Sequence, residues 1–198
     1  MLRRSFGVIL AVLVIAGSSL AAQSPEDKRT IEDLRAAVLR LPYYGVFDSV
    51  SVGYERGTAT VSGYVYQPKT KQDIVNALKR VSRVDDVVDQ IEVLPVSQHD
   101  DELRRRAFVQ IYGDSVLSRY AAGGGVSRFD VIDMIRYPGT QPFGDYGIKI
   151  IVNRGRITLV GNVDSTFDRT IAGHRAREIP GAFGVENTLV VANGRDTR

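Results

Sequence analysis

The sequence predicts an α+β protein built from two tandem αββαβ units, each a three-stranded mixed sheet covered by two helices. Three observations predict it. Residues 54–65, Tyr-Glu-Arg-Gly-Thr-Ala-Thr-Val-Ser-Gly-Tyr-Val, recur without a gap at 152–163 as Val-Asn-Arg-Gly-Arg-Ile-Thr-Leu-Val-Gly-Asn-Val, an internal repeat that precedes any other assignment. Apolar/polar alternation enters each copy (Val50, Val52, Tyr54; Ile148, Ile150, Val152) and resumes after the Arg-Gly pair (Ala59, Val61; Ile157, Leu159), which is the pattern of a hairpin. On either side of each hairpin, apolar residues recur three and four apart, the period of a helix with one buried stripe. Gly57 and Gly155 supply the positive φ of a tight turn, whereas Gly63 and Gly161 lie inside strand pattern and predict a bulge or a closely packed helix.

Residues 1–21 have a basic start (Arg3, Arg4), an apolar run from 6 to 16 and a small-residue end, and read as a secretory signal peptide cleaved after Ala21. Ser24-Pro25-Glu26-Asp27 opens the first helix, with Thr30-x-x-Asp33 as a second capping box; Ile31, Leu34, Val38 and Leu41 form its stripe and Pro42 ends it. The hairpin at about 50–65 follows, then a helix from Gln67-Pro68 carrying Ile74, Leu78 and Val81, and a strand with Val87, Asp89, Ile91 and Val93. The first unit thus spans 24–95. The second, 97–192, repeats the order: Ser97-x-x-Asp100 caps a helix with Leu103, Ala107 and Ile111, and Ser165-x-x-Asp168 caps one with Ala172, Ala176 and Ile179. Val185, Asn187, Leu189 and Val191 make the last strand, and 193–198 is a polar tail. The first helices align at a shift of 69 and everything from the hairpin onward at 98, so the second unit carries 29 extra residues within about 113–145.

A chain of 198 residues with 43% hydrophobic residues supports one medium core or two small ones, and the repeat selects two. It has no cysteine, which removes disulfides, thiolate chemistry and cysteine-based zinc sites. Without the leader's Arg3 and Arg4, 24 bases face 23 acids, too even a balance for a nucleic-acid binder.

The element order, with strand, Gly, strand, Gly-x-Val in the hairpin and a Val-x-Asn/Asp/Gln-x-Leu/Ile final strand, resembles the BON family, named for bacterial osmotically inducible periplasmic and nodulation proteins. The resemblance covers 26–93 and 100–191. It implies a non-enzymatic, periplasmic module. Several members bind phospholipid surfaces, anionic lipids being favoured, and others act as stress-induced periplasmic chaperones. The expected partner is therefore an anionic phospholipid membrane surface, contacted peripherally through the second unit in support of envelope integrity or stress tolerance. The alternative is an envelope protein docked by the insertion. Where lipid contact is assigned in the family, the first helix of the second repeat faces the membrane, here about 100–112. Two departures stand out: no lipid-attachment cysteine is present, and the insertion lies outside the core pattern.

The candidate contact residues follow. Arg104, Arg105 and Arg106 fan around the Leu103, Ala107, Ile111 stripe, either as a solvated face or as guanidinium forks for phosphate. In the insertion, Arg119, Arg128 and Arg136 interleave with Phe129, Met134 and Ile135, among other apolar residues, a mixture that suits packing on the domain, partner docking or a headgroup boundary. Residues 129–137 read as either an added strand or a short helix. No metal or cofactor is expected: His99 and His174 lie far apart in sequence, Ser165 and Asp168 make sense as a cap rather than part of a triad, and Gly123-Gly124-Gly125 lacks a phosphate-loop ending and reads as a linker.

Overall fold

A computed structural model describes residues 24–124, 126, 128–137 and 139–192. The expected signal peptide and the polar tail lie outside the described residues, as do the side chains of Arg128 and Phe129. The first unit comprises α1 (Pro25–Leu39), β1 (Ser49–Glu55), β2 (Thr58–Val65), α2 (Pro68–Leu78) and β3 (Asp86–Val93). The second comprises α3 (Gln98–Tyr112), a 3₁₀ turn (Ser118–Tyr120), α4 (Arg128–Arg136), β4 (Ile148–Asn153), β5 (Arg156–Val163), α5 (Thr166–Arg177), β6 (Gly184–Asn187) and β7 (Val190–Val191). Each sheet is mixed: β2 pairs antiparallel with β1 and parallel with β3, and β5 pairs antiparallel with β4 and parallel with β6 and β7.

The helix starts obey their capping chemistry. Ser24 accepts from the Asp27 amide while the Asp27 carboxylate accepts from Ser24, a complete capping box; Ser97 and Ser165 cap α3 and α5 through the amides of Asp100 and Asp168. The second box at Thr30 does not form. Thr30 lies inside α1 and its hydroxyl donates to the Glu26 carbonyl, because the helix has already started one turn earlier.

Both hairpins turn on Arg-Gly with both residues at positive φ, 48° and 84° in one and 50° and 79° in the other, as a two-residue type I′ turn requires. Gly63 and Gly161, at φ 128° and 139°, mark neither a bulge nor a helix contact, for the registers of both hairpins run unbroken. They let the opposite strand approach: a Cβ would lie 2.2 Å from the Ser49 carbonyl oxygen at Gly63 and 2.1 Å from that of Gly147 at Gly161. The last strand is broken into β6 and β7, with the intervening Thr188 still donating to the Leu159 carbonyl through both its amide and its hydroxyl.

Leu34, Val38, Ala59, Val61, Val65, Ile74, Leu78 and Ile91 fill the first core. The second core draws on α3, β4, β5 and α5, and also takes in Val46 and Phe47 from the first unit. Residues 44–47 run along the outer edge of β4: the Ile150 amide donates to the Val46 carbonyl, the Val46 amide to Pro142, and Gly45 bridges antiparallel to Phe143. A sheet edge that would otherwise be open is therefore closed by the other unit and by the end of the insertion.

Candidate functional site

The three arginines of α3 do not form a common face. Arg104 is 1% exposed, which corrects the expectation that it borders the apolar stripe at the surface. Its guanidinium donates to the Asp101 carboxylate (2.6 Å) and the Val152 carbonyl (2.7 Å) and lies over the Tyr66 ring at 4.6 Å, with Nε having no partner among the described residues. The reason is tertiary: α3 buries more than one stripe, with Leu103, Ala107 and Ile111 in the second core, Phe108 against Tyr146, and Arg104 turned against Tyr66 of the first unit. Tyr66 also donates to Asp101, and burial, followed by that carboxylate, pushes its hydroxyl up to about 12. Arg105 and Arg106 both pair with Glu102, Arg106 donating in addition to the Pro180 carbonyl; the hydrogen bond from Arg105 leads in holding the Glu102 carboxyl below its ordinary value.

Arg119, from the 3₁₀ turn, pairs with Asp168 at 2.5 Å and approaches Asp164 at 3.6 Å. Burial pushes the Asp168 carboxyl upward, but hydrogen bonds from Ser165, Tyr120 and Arg119 outweigh it and hold the group below its ordinary value. Ser165 and Asp168 are thus occupied as a cap. His174 lies nine positions beyond Ser165 along α5, roughly 13 Å by helical rise, and pairs with Glu178 instead, so no triad is assembled. His99 stacks on Phe183 with ring centroids 5.2 Å apart. Among the described residues no group of three or more metal-ligating side chains occurs, and no helix is long and apolar enough to cross a membrane.

The insertion's ambiguous stretch is the helix α4. Met134 packs, half-buried, against the second core, while Ile135, at 61% exposure, and Arg136 point away from it, and Arg136 has no ion pair among the described residues. Arg128 and Phe129 begin the helix. Beyond it, Tyr137 is 56% exposed, and Phe143, 44% exposed, meets Tyr43 edge to face with centroids 5.5 Å apart; Lys69 stands 5.4 Å over the Tyr43 ring. A cleft of about 390 Å³ lies beside this rim, between α3, α4 and the first unit, with Phe47, Tyr66, Arg104, Met134 and Ile135 among its walls.

What holds the rim in place is a buried polar clasp. Asp48, fully buried, accepts from the Tyr66 and Gly45 amides and the Gln141 side chain, and Gln141 in turn accepts from the Phe47 amide. Burial pushes the Asp48 carboxyl up against those hydrogen bonds. Lys149 donates to the Gly45 carbonyl and lies 4.6 Å from the centre of the Tyr44 ring; burial pulls its ammonium down to about 8, with Asp48 and Asp145 pushing the other way. Tyr43, Lys69 and the clasp carry no local sequence signal: Tyr43, Asp48 and Gln141 are isolated residues in loops, Lys69 stands at a helix start, and Lys149 is a lone cation inside a strand.

Two αββαβ units clasped by a loop define the class, a tandem repeat of one small α+β module. The BON domain model matches residues 23–95 and 136–193, more than half of the chain, and the protein belongs to the BON domain family. Known members of this family are non-catalytic modules of the periplasm and envelope. No curated protein matches the chain. Among solved structures it is similar to CdsD of Chlamydia trachomatis, a structural protein of the type III secretion system, at 12% identity and a TM-score of 0.27, covering 82% of this chain and 92% of that one. The C-terminal domain of CdsD matches at the same identity and TM-score, with 97% of that chain covered. Likenesses this slight carry no argument about fold or role.

Proposed function

We propose that the protein is a non-enzymatic, exported module of the bacterial envelope that rests peripherally on anionic phospholipid through the rim of its 113–145 insertion and the adjoining first-unit surface. The observation that carries this reading is the rim itself: Tyr43, Ile135, Tyr137 and Phe143 each leave about half or more of their surface in water, Arg136 follows Ile135 at the surface, and Lys69, its charge shared with Asp73, stands over the Tyr43 ring. Apolar and amphipathic side chains next to basic ones suit a headgroup boundary, where apolar burial at ~25 cal/mol per Å² adds to screened attraction for phosphate. Arg105, Arg106 and Arg119 contribute less, since their charge is already shared with Glu102, Asp164 and Asp168. The leader at 1–21 and the family support a periplasmic location.

Flotation with vesicles of phosphatidylcholine alone or mixed with phosphatidylglycerol tests the proposal. The protein floats with the mixed vesicles and is released by salt, and Ile135→Asp with Tyr137→Ser lowers binding about tenfold without loss of the folded state. Equal partitioning to neutral vesicles, or a double variant that floats as well as the parent, refutes it. A second reading, docking of an envelope protein, is favoured by the cleft beside Ile135. The same double variant then loses a captured envelope partner while vesicle binding stays low throughout.

A further inference from the structure

The two units share one groove, between the second helix and the last strand, and differ in what occupies it. In the first unit the groove is walled by Lys71, Val75 and Asp89 among others; at the shift of 98 these positions become Arg169, Gly173 and Asn187, which wall the groove of the second. The two last-strand residues do the same local work. The Asp89 carboxylate accepts from the Ile91 amide at 2.9 Å, and the Asn187 side-chain oxygen accepts from the Leu189 amide at 3.2 Å. Their second atoms are opposite in character. In the first unit the other carboxylate oxygen of Asp89 lies 3.2 Å from Lys71 Nζ, and the ammonium also donates to the Ile91 carbonyl at 2.7 Å, so the cation is neutralised in place. In the second unit that atom is an amide nitrogen, which donates to the Arg169 backbone carbonyl at 2.7 Å and offers the guanidinium no charge.

Gly173 belongs to the same exchange: a Cβ there would come within 2.6 Å of the Asn187 amide nitrogen, so the side chain present as Val75 in the first groove must be absent in the second. The bare position sits midway between Arg169 and Arg177, whose Cα atoms are two turns apart on α5, roughly 12 Å by rise, a span two long side chains can close over one group. Both arginines are exposed and neither has an ion pair among the described residues. The groove, about 330 Å³, has no carboxylate among the described residues of its walls; Glu186, on the alternate residue of β6, faces the opposite side of the sheet with Arg156.

We infer that the α5–β6 groove of the second unit is an anion site for a phosphate group, held by the guanidinium forks of Arg169 and Arg177, and that the first unit has lost or never had the equivalent because Asp89 fills its place. Two planar forks arriving from either side of a tetrahedral anion match phosphate better than a flat carboxylate. This site is separate from the insertion rim and stands whether or not the rim touches lipid.

Amide chemical shifts recorded while inorganic phosphate, glycerol 1-phosphate or acetate is added to the protein test it. Phosphate and its monoester move the amides of Arg169, Thr170, Gly173 and Asn187 saturably, and acetate at the same concentration does not. Arg169→Gln with Arg177→Gln weakens binding at least about tenfold, the loss expected for one charge-assisted hydrogen bond. Asn187→Asp, which restores the carboxylate of the first unit, weakens it similarly. The arginine pair, being exposed, keeps the test valid if the aspartate substitution disturbs the fold of β6. Displacement of bound phosphate by phosphatidylglycerol vesicles identifies a lipid headgroup as the source, and persistence in their presence identifies a soluble phosphate. No shift in the groove, an equal response to acetate, or undiminished binding by the arginine variant overturns the assignment.

Discussion

Replacing Lys149 by methionine stabilises the protein at neutral pH, and the gain shrinks as the pH rises. Lys149 lies on the face of β4 opposite the core residues Ile148 and Ile150, 8% exposed, under the first-unit loop. Burial brings its ammonium from an ordinary 10.5 down to about 8, with Asp48 and Asp145 opposing. Below pH 8 both folded and unfolded chains hold the proton and the full cost of burying it is present. Between pH 8 and 10.5 the unfolded chain keeps a proton the folded chain has released, so stability rises with pH by at most ~1.4 kcal/mol per unit, ~3 kcal/mol in all. Relaxation and the hydrogen bond to Gly45, lost in the variant, reduce the net gain of Lys149→Met to about 1–2 kcal/mol at pH 7.

Urea unfolding at pH 7 and 9.5 measures the effect. The upper limit avoids Tyr66 and Tyr146, whose folded values near 12, above the unfolded one, remove stability only once the pH passes about 10. Lys149 also helps hold the Asp48 carboxyl down, so the pair is repeated on an Asp48→Asn background in which that carboxyl no longer titrates. A difference between parent and variant that stays constant from pH 7 to 9.5 on that background would show that Lys149 keeps its proton in the folded state, and the reasoning fails.

Two further expectations concern stability. Gly161→Ala drives a Cβ to 2.1 Å from the Gly147 carbonyl at φ 139° and costs about 2–4 kcal/mol, whereas Gly53→Ala, with nothing within 4 Å of the added carbon, stays within about 1 kcal/mol; thermal denaturation of the two side by side tells them apart. Arg104→Ala leaves a cavity and an unpaired Val152 carbonyl, with Asp101 kept only by Tyr66, and costs about 2–4 kcal/mol, against less than about 1 kcal/mol for the half-exposed Arg106→Ala, so equal melting temperatures for the two would contradict the burial of Arg104.

The hairpins were readable because their determinants are local. Arg56-Gly57 and Arg154-Gly155 specify a turn through their own φ, and the alternation around them specifies which face is buried. Caps at Ser24, Ser97 and Ser165 likewise act within four residues. The insertion was less readable, since 129–137 matched neither period; in α4, among the described side chains, Met134 and Val131 pack against the core. Arg104 was misplaced by a rule correct for an isolated amphipathic helix, which has one buried stripe, and wrong for one lying between two units. Arg169, which has no ion pair among the described residues, left its trace in the repeat itself, as Asn187 at the place of Asp89, but its meaning depends on knowing that Lys71 and Asp89 touch.

By itself the chain determined the duplicated αββαβ order, the turns and the capped helix starts, because each of these is decided by residues within a few positions of one another. How charge is distributed came from packing: Arg104 and Lys149 are interior groups, Arg105 and Arg119 are paired, Lys69 stands beside Asp73 and an aromatic ring, and Arg136, Arg169 and Arg177 lie at the surface with no acid partner among the described residues. Coulomb energy and desolvation depend on distance in space rather than along the chain, so a nearly neutral composition is compatible with either outcome until the two units are packed.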